Sequence, residues 1–299
     1  MRSTKTLRHL ISLALAASLA MVAPAARAQP APACEDPKVL RFSLIPTQDT
    51  IRELTYYKPI LDLLSKNTGK KIEFYMPTSY SSVVEALLGK WVDVAGLGPE
   101  SYVIARRKDA TIEVFGTYSR KADGVQQAGP GYTSVLITKK GSRFTSIPAL
   151  KGSVLALVDP ASTSGALIPE KVFSKEVKQP LKEYFSKVAF SGGHDLSCLA
   201  VVEGKADAAF VASHRLMEAV NAGKVKLDDL NVLWTSPRLP QDPFVFRNTL
   251  CAPLRAKIAE TFLTVDQNPD GRKYLENVKS ERFVKMTDAD YDLIREVAK

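Results

Sequence analysis

Several signatures of nucleotide and metal chemistry are missing from this 299-residue chain. It has neither a G-x-x-x-x-G-K-[ST] run nor a G-x-G-x-x-G fingerprint, the glycine-rich patterns that hold nucleotide phosphates. It has only three histidines and three cysteines, without the H-x-x-x-H spacing of many zinc sites. No block of lysine and arginine is interleaved with aromatic residues. We therefore expect no cofactor, no resident metal ion and no nucleic-acid partner.

Long apolar runs are also scarce. The run over residues 10–22 is short for a membrane span, and no later stretch approaches ~18 uninterrupted apolar residues. Basic residues precede this run and Ala-Arg-Ala follows it at 26–28, which is typical of a secretory signal peptide. We predict a signal peptide over 1–28 and a periplasmic mature protein that begins at Gln29. Loss of the four basic residues of the leader lowers the net charge from +9 to +5, which favours anionic ligands only slightly.

The few cysteines leave room for one disulfide bond in an oxidising compartment. Cys34 comes just before the first predicted strand, and Cys251 lies where the chain is expected to return to the same domain. A Cys34–Cys251 disulfide is therefore our prediction, with Cys198 as the odd thiol. The sequence is also compatible with three free thiols.

Strand-like and helix-like segments alternate along the chain. The first series has strands near 39–46, 71–76, 91–98 and 111–119 and helices near 56–69, 79–90 and 99–108. The second series has strands near 132–141, 152–159, 187–193 and 206–213 and helices after 162 and 194. Such alternation predicts α/β sheets with helices on both faces. Two series of this length indicate two α/β lobes with a cleft between them.

The predicted strand-to-helix turns share an unusual composition. They lie at 46–50, 77–82, 96–101, 159–165, 191–195 and 211–214. They are rich in hydroxyls and glycines and poor in lysine and arginine. Since ligands of open α/β sheets bind at the carboxyl ends of the strands, we expect a small anion held largely by neutral dipoles.

One of these turns carries three hydroxyl residues and a glycine where a helix begins. In "VDPASTSGALIPEKVF", residues 158–173, the cluster is Ser162, Thr163, Ser164 and Gly165. One hydroxyl is enough to cap a helix. The full cluster offers several donors at the positive end of the helix dipole, which suits a small oxyanion. An oxyanion site and a well-capped helix are both consistent with this stretch.

The pair of strings "DPASTSGALIP" and "SGGHDLSCLAVVEGKADAA" resembles the signature of phosphonate-, phosphite- and phosphate-binding proteins of ABC importers. Residues 56–105 and the strings "PGYTSVLITKKGS", "VLWTSPRLPQDPFVFRNTL" and "MTDADYDLI" extend the similarity over essentially the whole mature chain. The resemblance implies a type II periplasmic binding protein, in which two Rossmann-like lobes joined by a two-strand hinge close on the ligand. It places lobe I at 29–128 and 236–299, and lobe II at 129–235.

The resemblance also implies partners and a role. The ligand would be a small phosphorus oxyanion, and the protein partner would be an ABC permease in the inner membrane. We expect a monomer without enzymatic activity.

Six residues match positions that contact the ligand in the family. The phosphoryl-gripping S-T-S turn falls on Ser162, Thr163 and Ser164, and the tyrosine at the start of a first-lobe helix falls on Tyr80. The family's G-H-[DE] turn falls on His194 and Asp195, where the acid would receive the proton of a singly ionised oxyanion or the amine of an aminoalkyl group. Helix capping or packing is the alternative role for both residues of that turn.

Two departures from the family pattern concern the ligand's substituent. Leu97 stands where relatives that bind aminoalkylphosphonates have an aromatic residue, and Ala212 stands where many relatives have an aspartate. Both departures weaken the case for a cationic tail and leave the choice of oxyanion open.

Two other classes of function can be weighed against this interpretation. A hydrolytic triad of Ser164, His194 and Asp195 is disfavoured, since there is no G-x-S-x-G elbow and sequence neighbours cannot easily orient one another. An oxyanion or arsenite sensor that delivers its closed form to a receptor kinase would keep the fold and use Cys198 as a soft ligand. More simply, Cys198 is a small residue on the core side of its helix.

Overall fold

The computed structural model describes residues 34–47 and 50–299, so the predicted signal peptide over 1–28 lies outside the described residues. The strands are β1 Val39–Leu44, β2 Lys71–Phe74, β3 Val94–Gly96, β4 Ile112–Arg120, β5 Gly131–Tyr132, β6 Ser134–Lys139, β7 Val154–Leu157, β8 Lys187–Phe190, β9 Ala208–Ala212, β10 Leu230–Thr235, β11 Leu239–Pro240, β12 Phe244–Arg247 and β13 Ser280–Val284. The α-helices are α1 Thr50–Thr68, α2 Tyr80–Leu88, α3 Pro99–Lys108, α4 Ser174–Glu176, α5 Leu181–Tyr184, α6 His194–Val202, α7 Ser213–Asn221, α8 Ala252–Leu263, α9 Pro269–Asn277 and α10 Asp292–Val297. Two π-helical segments occupy Thr163–Leu167 and Pro169–Phe173, and 3-10 turns occupy Pro148–Leu150, Leu227–Asp229, Val265–Gln267 and Asp288–Tyr291.

Two mixed sheets form the two lobes. The first lobe has six strands in the order β13-β4-β12-β3-β1-β2, with β1 parallel to both β2 and β3. The second lobe has five strands in the order β10-β6-β9-β7-β8, with β7 parallel to β8 and β9. The first sheet draws its strands from both ends of the described chain, because β12 and β13 return to it after the second sheet is complete.

The chain crosses between the sheets twice, and the crossing segments pair with each other. β5 and β11 form a separate two-stranded antiparallel sheet, with Leu239 opposite Tyr132 and Pro240 opposite Gly131. Paired crossings of this kind allow the lobes to rotate about a short hinge. The observed architecture agrees with the predicted type II periplasmic binding fold.

Each sheet carries helices on both faces, as the alternating pattern predicted. In the first lobe, α1, α8 and α9 cover one face through an aromatic core that includes Phe42, Phe244 and Phe262. The helices α2 and α3 cover the other face, where Leu97 is fully buried in the core. In the second lobe, α6 and α7 pack on one face, where they bury Cys198 and Leu216.

The start of α1 differs from the prediction. The helix begins at Thr50, six residues before the expected start at 56, so Pro59 lies inside the helix rather than in its first turn. The segment before 56 is polar and shows weak apolar periodicity, which is why the sequence pattern missed it. The early start brings the first turn of α1 to the edge where the strands end.

The two predictions about cysteines can now be assessed. Cys34 and Cys251 form a disulfide bond that joins the start of the described chain to the residue that precedes α8. Cys198 is a buried free thiol inside the second-lobe core, and burial raises the pKa of its thiol well above the ordinary value. Among the described residues, no helix is long and apolar enough to cross a membrane.

Candidate functional site

Tyr80 stands at the first position of α2, where a capping box sets its place. The Ser79 hydroxyl accepts from the backbone N–H of Ser82 at 3.1 Å, and the Ser82 hydroxyl in turn accepts from the backbone N–H of Ser79 at 3.0 Å. This reciprocal pair starts the helix at Tyr80 and directs its side chain into the contact between the lobes. Tyr80 is almost fully buried, and burial raises the pKa of its phenol, which therefore remains a neutral donor.

Ser162, Thr163 and Ser164 form the hydroxyl turn, and each of them makes a different contact. The Ser162 hydroxyl caps the segment by accepting from the Gly165 N–H at 3.1 Å. The Thr163 hydroxyl instead accepts from the backbone N–H of Glu100, in the other lobe, at 2.8 Å. The backbone carbonyl of Ser164 accepts from the Ser134 hydroxyl at 2.7 Å, which holds the turn against β6.

The first turn after these hydroxyls is wider than an α-helix. The N–H of Leu167 donates to the carbonyl of Ser162, five residues back, at 3.0 Å. Gly165 is required here, because an added Cβ would lie 2.3 Å from a methyl group of Val158. Wide turns of this kind occur often at functional sites, and a helix start leaves backbone N–H groups available to an anion.

Helix ends from both lobes meet at this turn. Besides the bond to Glu100, the Ser101 hydroxyl donates to the Ala161 carbonyl at 2.8 Å. The Tyr80 N–H donates to the Asp159 carboxylate at 3.3 Å. Gly98 precedes α3, and a Cβ placed there would lie 3.8 Å from the Thr163 hydroxyl and 3.9 Å from the Tyr80 ring. The N-termini of α2 and α3 therefore lie beside the hydroxyl turn of the second lobe.

His194 is held as a neutral hydrogen-bond donor. Its Nδ1 accepts from the backbone N–H of Ala212 at 3.1 Å, so the proton of the neutral ring is on Nε2. Burial, reinforced by the charge of Arg215, lowers the pKa of His194 to about 3. The ring therefore presents an N–H at neutral pH without adding a positive charge.

Asp195 occupies the next position but is engaged by a lysine. Its Oδ2 lies 2.7 Å from the ammonium of Lys224, and its Oδ1 accepts from the Leu196 N–H at 3.0 Å. Together with Tyr80 and His194, it lines a cavity of about 400 Å³. Among the described residues, Ser162, Thr163 and Ser164 do not line this cavity, because all three are buried where the lobes touch.

The structure adds three residues that the sequence interpretation did not assign to the site. Burial raises the pKa of the Tyr132 phenol and the neighbouring side chains of Thr163 and Ser164 oppose that rise. The Tyr132 ring meets His214 edge-to-face at 4.9 Å. His214 Nε2 lies 3.4 Å from Asp242 Oδ2. Asp242 thus supplies a buried carboxylate near His194, although Ala212 replaces the acid expected from the family pattern. Only the hinge crossing brings Tyr132 and Asp242 to this position.

Cations also reach the cleft, contrary to the expectation from the turns alone. Arg215 follows the last of those turns by one residue, and its guanidinium lies 2.9 Å from Glu218, 3.5 Å from Glu53 and 3.7 Å from Asp242. Arg120 pairs with Glu218 at 2.9 Å. Burial raises the pKa of Glu218, but Arg215 and Arg120 outweigh it and hold that pKa below the ordinary value. The result is a cross-lobe ion-pair network beside a donor-rich site.

The arrangement can bind an anion. The donors are hydroxyls, neutral imidazole and helix N-termini, and Ser164 has no base aligned by a third residue in the contacts described above. Within residues 34–47 and 50–299, no group of three or more His, Cys, Asp or Glu residues could hold a metal ion.

Comparisons with known proteins agree with this geometry. Residues 42–291 match the family described as "ABC transporter, phosphonate, periplasmic substrate-binding protein". The phosphonates-binding periplasmic protein of Escherichia coli is 30% identical over 90% of this chain and 78% of its own length. A phosphate-import protein, PhnD, of Mycolicibacterium smegmatis is 28% identical over 87% of this chain and 85% of its own length.

Solved structures show the same fold. A binding-protein component of an ABC phosphonate transporter from Pseudomonas aeruginosa aligns with a TM-score of 0.80 and 25% identity over 88% of this chain and 86% of that one. PhnD1 of Prochlorococcus marinus in complex with methylphosphonate aligns with a TM-score of 0.77 and 22% identity over 88% of this chain and 97% of that one. The chain therefore belongs to the family of periplasmic phosphonate-binding proteins, the substrate-binding components of ABC transporters.

Proposed function

We propose that this protein binds a phosphorus oxyanion between its lobes and delivers it to an ABC permease in the inner membrane. A phosphonate is the first choice, with phosphite and phosphate as alternatives. The protein acts as a periplasmic monomer after its signal peptide is removed, and it carries out no chemical step on the ligand.

The observation that carries this proposal is the meeting of donors from both lobes at one place. The Thr163 hydroxyl accepts from the Glu100 N–H at 2.8 Å, so its own proton remains available to an oxyanion. Tyr80 on the first lobe lies nearby, since a Cβ at Gly98 would be 3.9 Å from the Tyr80 ring and 3.8 Å from the Thr163 hydroxyl. Tyr80 and His194, a neutral donor on the second lobe, line the same cavity. Charge-assisted hydrogen bonds from such fixed donors favour a tetrahedral oxyanion with several acceptor oxygens.

We assign Ser164, Thr163, Tyr80 and His194 to the oxyanion and Ser162 to the cap of the turn. Asp195 is paired with Lys224, so we assign it a structural role within the second lobe and not the role of accepting the ligand's proton. Burial raises the pKa of Asp242, which makes this carboxyl group the better partner for that proton or for a polar substituent. The ligand closes the cleft to the extent that it binds the closed form more tightly than the open form.

The sensor alternative has lost its main support. Its arsenite form needed the Cys198 thiol at the cleft, and this thiol lies in the core with its pKa raised by burial. No contact among the described residues favours delivery to a receptor kinase over delivery to a permease.

Calorimetry on refolded, ligand-free protein tests the proposal. We expect methylphosphonate, phosphite or phosphate to bind more tightly than planar nitrate, nucleotides, amino acids or sugars. Tighter binding of an amino acid or a sugar than of all three phosphorus oxyanions would contradict the proposed function.

A further inference from the structure

Glu100 is a buried acid that the oxyanion site does not use directly. It is the second residue of α3, and only 8% of its surface is exposed. Its Oε2 has no hydrogen-bond partner among the described residues. An unpaired buried carboxylate is costly, whereas the protonated form loses much of that penalty.

The position of Glu100 connects it to lobe closure. Its backbone N–H makes the 2.8 Å bond to the Thr163 hydroxyl of the other lobe. Two residues of the same helix start, Glu100 and Ser101, therefore contact the hydroxyl turn only when the lobes are together. Val103, one turn after Glu100 on α3, is buried in one cluster with Leu167 and Ile168 of the second lobe. Parting of the lobes would therefore expose this face of α3, with the Glu100 carboxyl group, to water.

The charges around Glu100 do not compensate for its burial. Arg107, two turns along α3, and Lys171, on the second π-helical segment, attract the carboxylate, but neither forms an ion pair with it within 4.0 Å in the described chain. Burial outweighs both cations and raises the pKa of Glu100 from 4.5 to about 7.

The other charged groups packed against α3 are engaged elsewhere. On the α2 side, Glu85 pairs with Lys108 at 2.6 Å. On the α10 side, Asp288 pairs with Arg295 and lies 3.3 Å from Arg106. The first π-helical segment, Thr163–Leu167, carries no charged side chain.

We propose that Glu100 takes up a proton as the lobes close on the oxyanion, so that ligand binding tightens as the pH falls through the neutral range. This inference rests on the proposed function, because the ligand is what closes the lobes. Glu100 acts here as a positioning residue that tunes the closed form, and it does not touch the ligand through its carboxyl group.

The sign and size of the effect follow from linkage. The closed form binds the proton with a pKa of about 7, while a solvent-exposed Glu100 in the open form titrates at its ordinary value of 4.5. Lower pH therefore favours the closed form, and affinity rises until the pH approaches the lower value. Between pH 8 and pH 6, this difference corresponds to roughly tenfold tighter binding.

The experiment compares the pH dependence of methylphosphonate binding in three proteins by calorimetry. Wild type should gain about tenfold more affinity from pH 8 to pH 6 than Glu100→Gln, since the ligand's own titration is common to both. Glu85→Gln, an exposed acid on the neighbouring helix, is the matched control and should keep the wild-type slope. Glutamine imitates the protonated acid, so Glu100→Gln should fold and bind at pH 8 more tightly than wild type.

Proton uptake gives a second readout that a merely structural role would not change. Titrations at pH 6.5 in two buffers of different ionisation enthalpy should show more protons taken up on binding by wild type than by Glu100→Gln. Equal pH slopes and equal proton uptake would overturn this inference alone. Absence of binding by all three proteins, to methylphosphonate, phosphite and phosphate alike, would overturn the proposed function and the inference with it.

Discussion

Removal of the Thr163 hydroxyl separates ligand binding from helix capping. Thr163→Ala deletes the acceptor of the cross-lobe bond from the Glu100 N–H, and it deletes one donor to the oxyanion. A neutral hydrogen bond contributes about 0.5–1.5 kcal/mol and one to a charged group about 1.5–3 kcal/mol, so the loss is about 2–4.5 kcal/mol. That corresponds to a rise in Kd for methylphosphonate of roughly 30- to 2,000-fold.

Ser162→Ala is the matched control for this change, because the two residues are adjacent and both are hydroxyls. The Ser162 hydroxyl caps the turn through Gly165, so its loss should lower the free energy of unfolding by roughly 0.5–2 kcal/mol. It should change ligand affinity much less than Thr163→Ala does. Thr163→Ser keeps the hydroxyl and should retain most of the affinity.

Calorimetry with methylphosphonate and thermal melting without ligand provide the two measurements. For Thr163→Ala we expect a large loss of affinity and little change in the ligand-free melting temperature, since the bond to Glu100 forms only between closed lobes. A melting-temperature loss in Ser162→Ala, Thr163→Ala and Ser164→Ala with unchanged affinity in all three would refute the assignment. The turn would then cap a helix, and the ligand would bind elsewhere.

Three further changes probe other parts of the site and its support. Gly98→Ala should fold normally, because its Cβ would make only ordinary contacts at 3.8 Å or more, but its methyl group should lower ligand affinity in calorimetry. Gly165→Ala should instead lower the melting temperature. The opposite pattern in the two variants would contradict the geometry. His194 should remain neutral with its proton on Nε2 from pH 5 to pH 8 in ¹⁵N NMR, because its pKa is lowered to about 3, and protonation inside that range would exclude its role as a neutral donor. Replacing Cys34 and Cys251 by serine should lower the free energy of unfolding by about 2–4 kcal/mol in denaturant titrations and leave ligand affinity unchanged; a loss of affinity without a loss of stability would contradict a purely structural role for the disulfide.

Much of the fold could be predicted from local patterns. The alternation of strands and helices, and the places where strands lead into helices, follow from apolar periodicity and turn residues over a few positions. Boundaries were less accurate where those signals are weak, as at the start of α1, which begins at Thr50 instead of 56. The Cys34–Cys251 disulfide was predicted from the return of the chain to the first sheet, and it is confirmed.

The candidate site was only partly predictable. Tyr80, Thr163 and His194 were assigned from the family resemblance. All three stand at strand-to-helix turns, and the facing of the two sheets explains why Tyr80 and His194 line one cavity. Arg215 was missed because the turn was taken to end one residue earlier, at His214. Tyr132 and Asp242 were missed because they lie on the hinge crossings, outside any strand-to-helix turn.

The sequence alone determined which residues offer donors, because capping hydroxyls, glycines and the start of a helix are local features set within a few residues of one another. It could not determine which hydroxyl caps the helix and which one contacts the other lobe. Ser162 and Thr163 have similar side chains, and only the approach of α3 makes one a cap and the other a cross-lobe acceptor. The burial of Glu100, with its raised pKa, likewise depends on atoms more than sixty residues away in the chain, because desolvation is a property of the packed interface between the lobes.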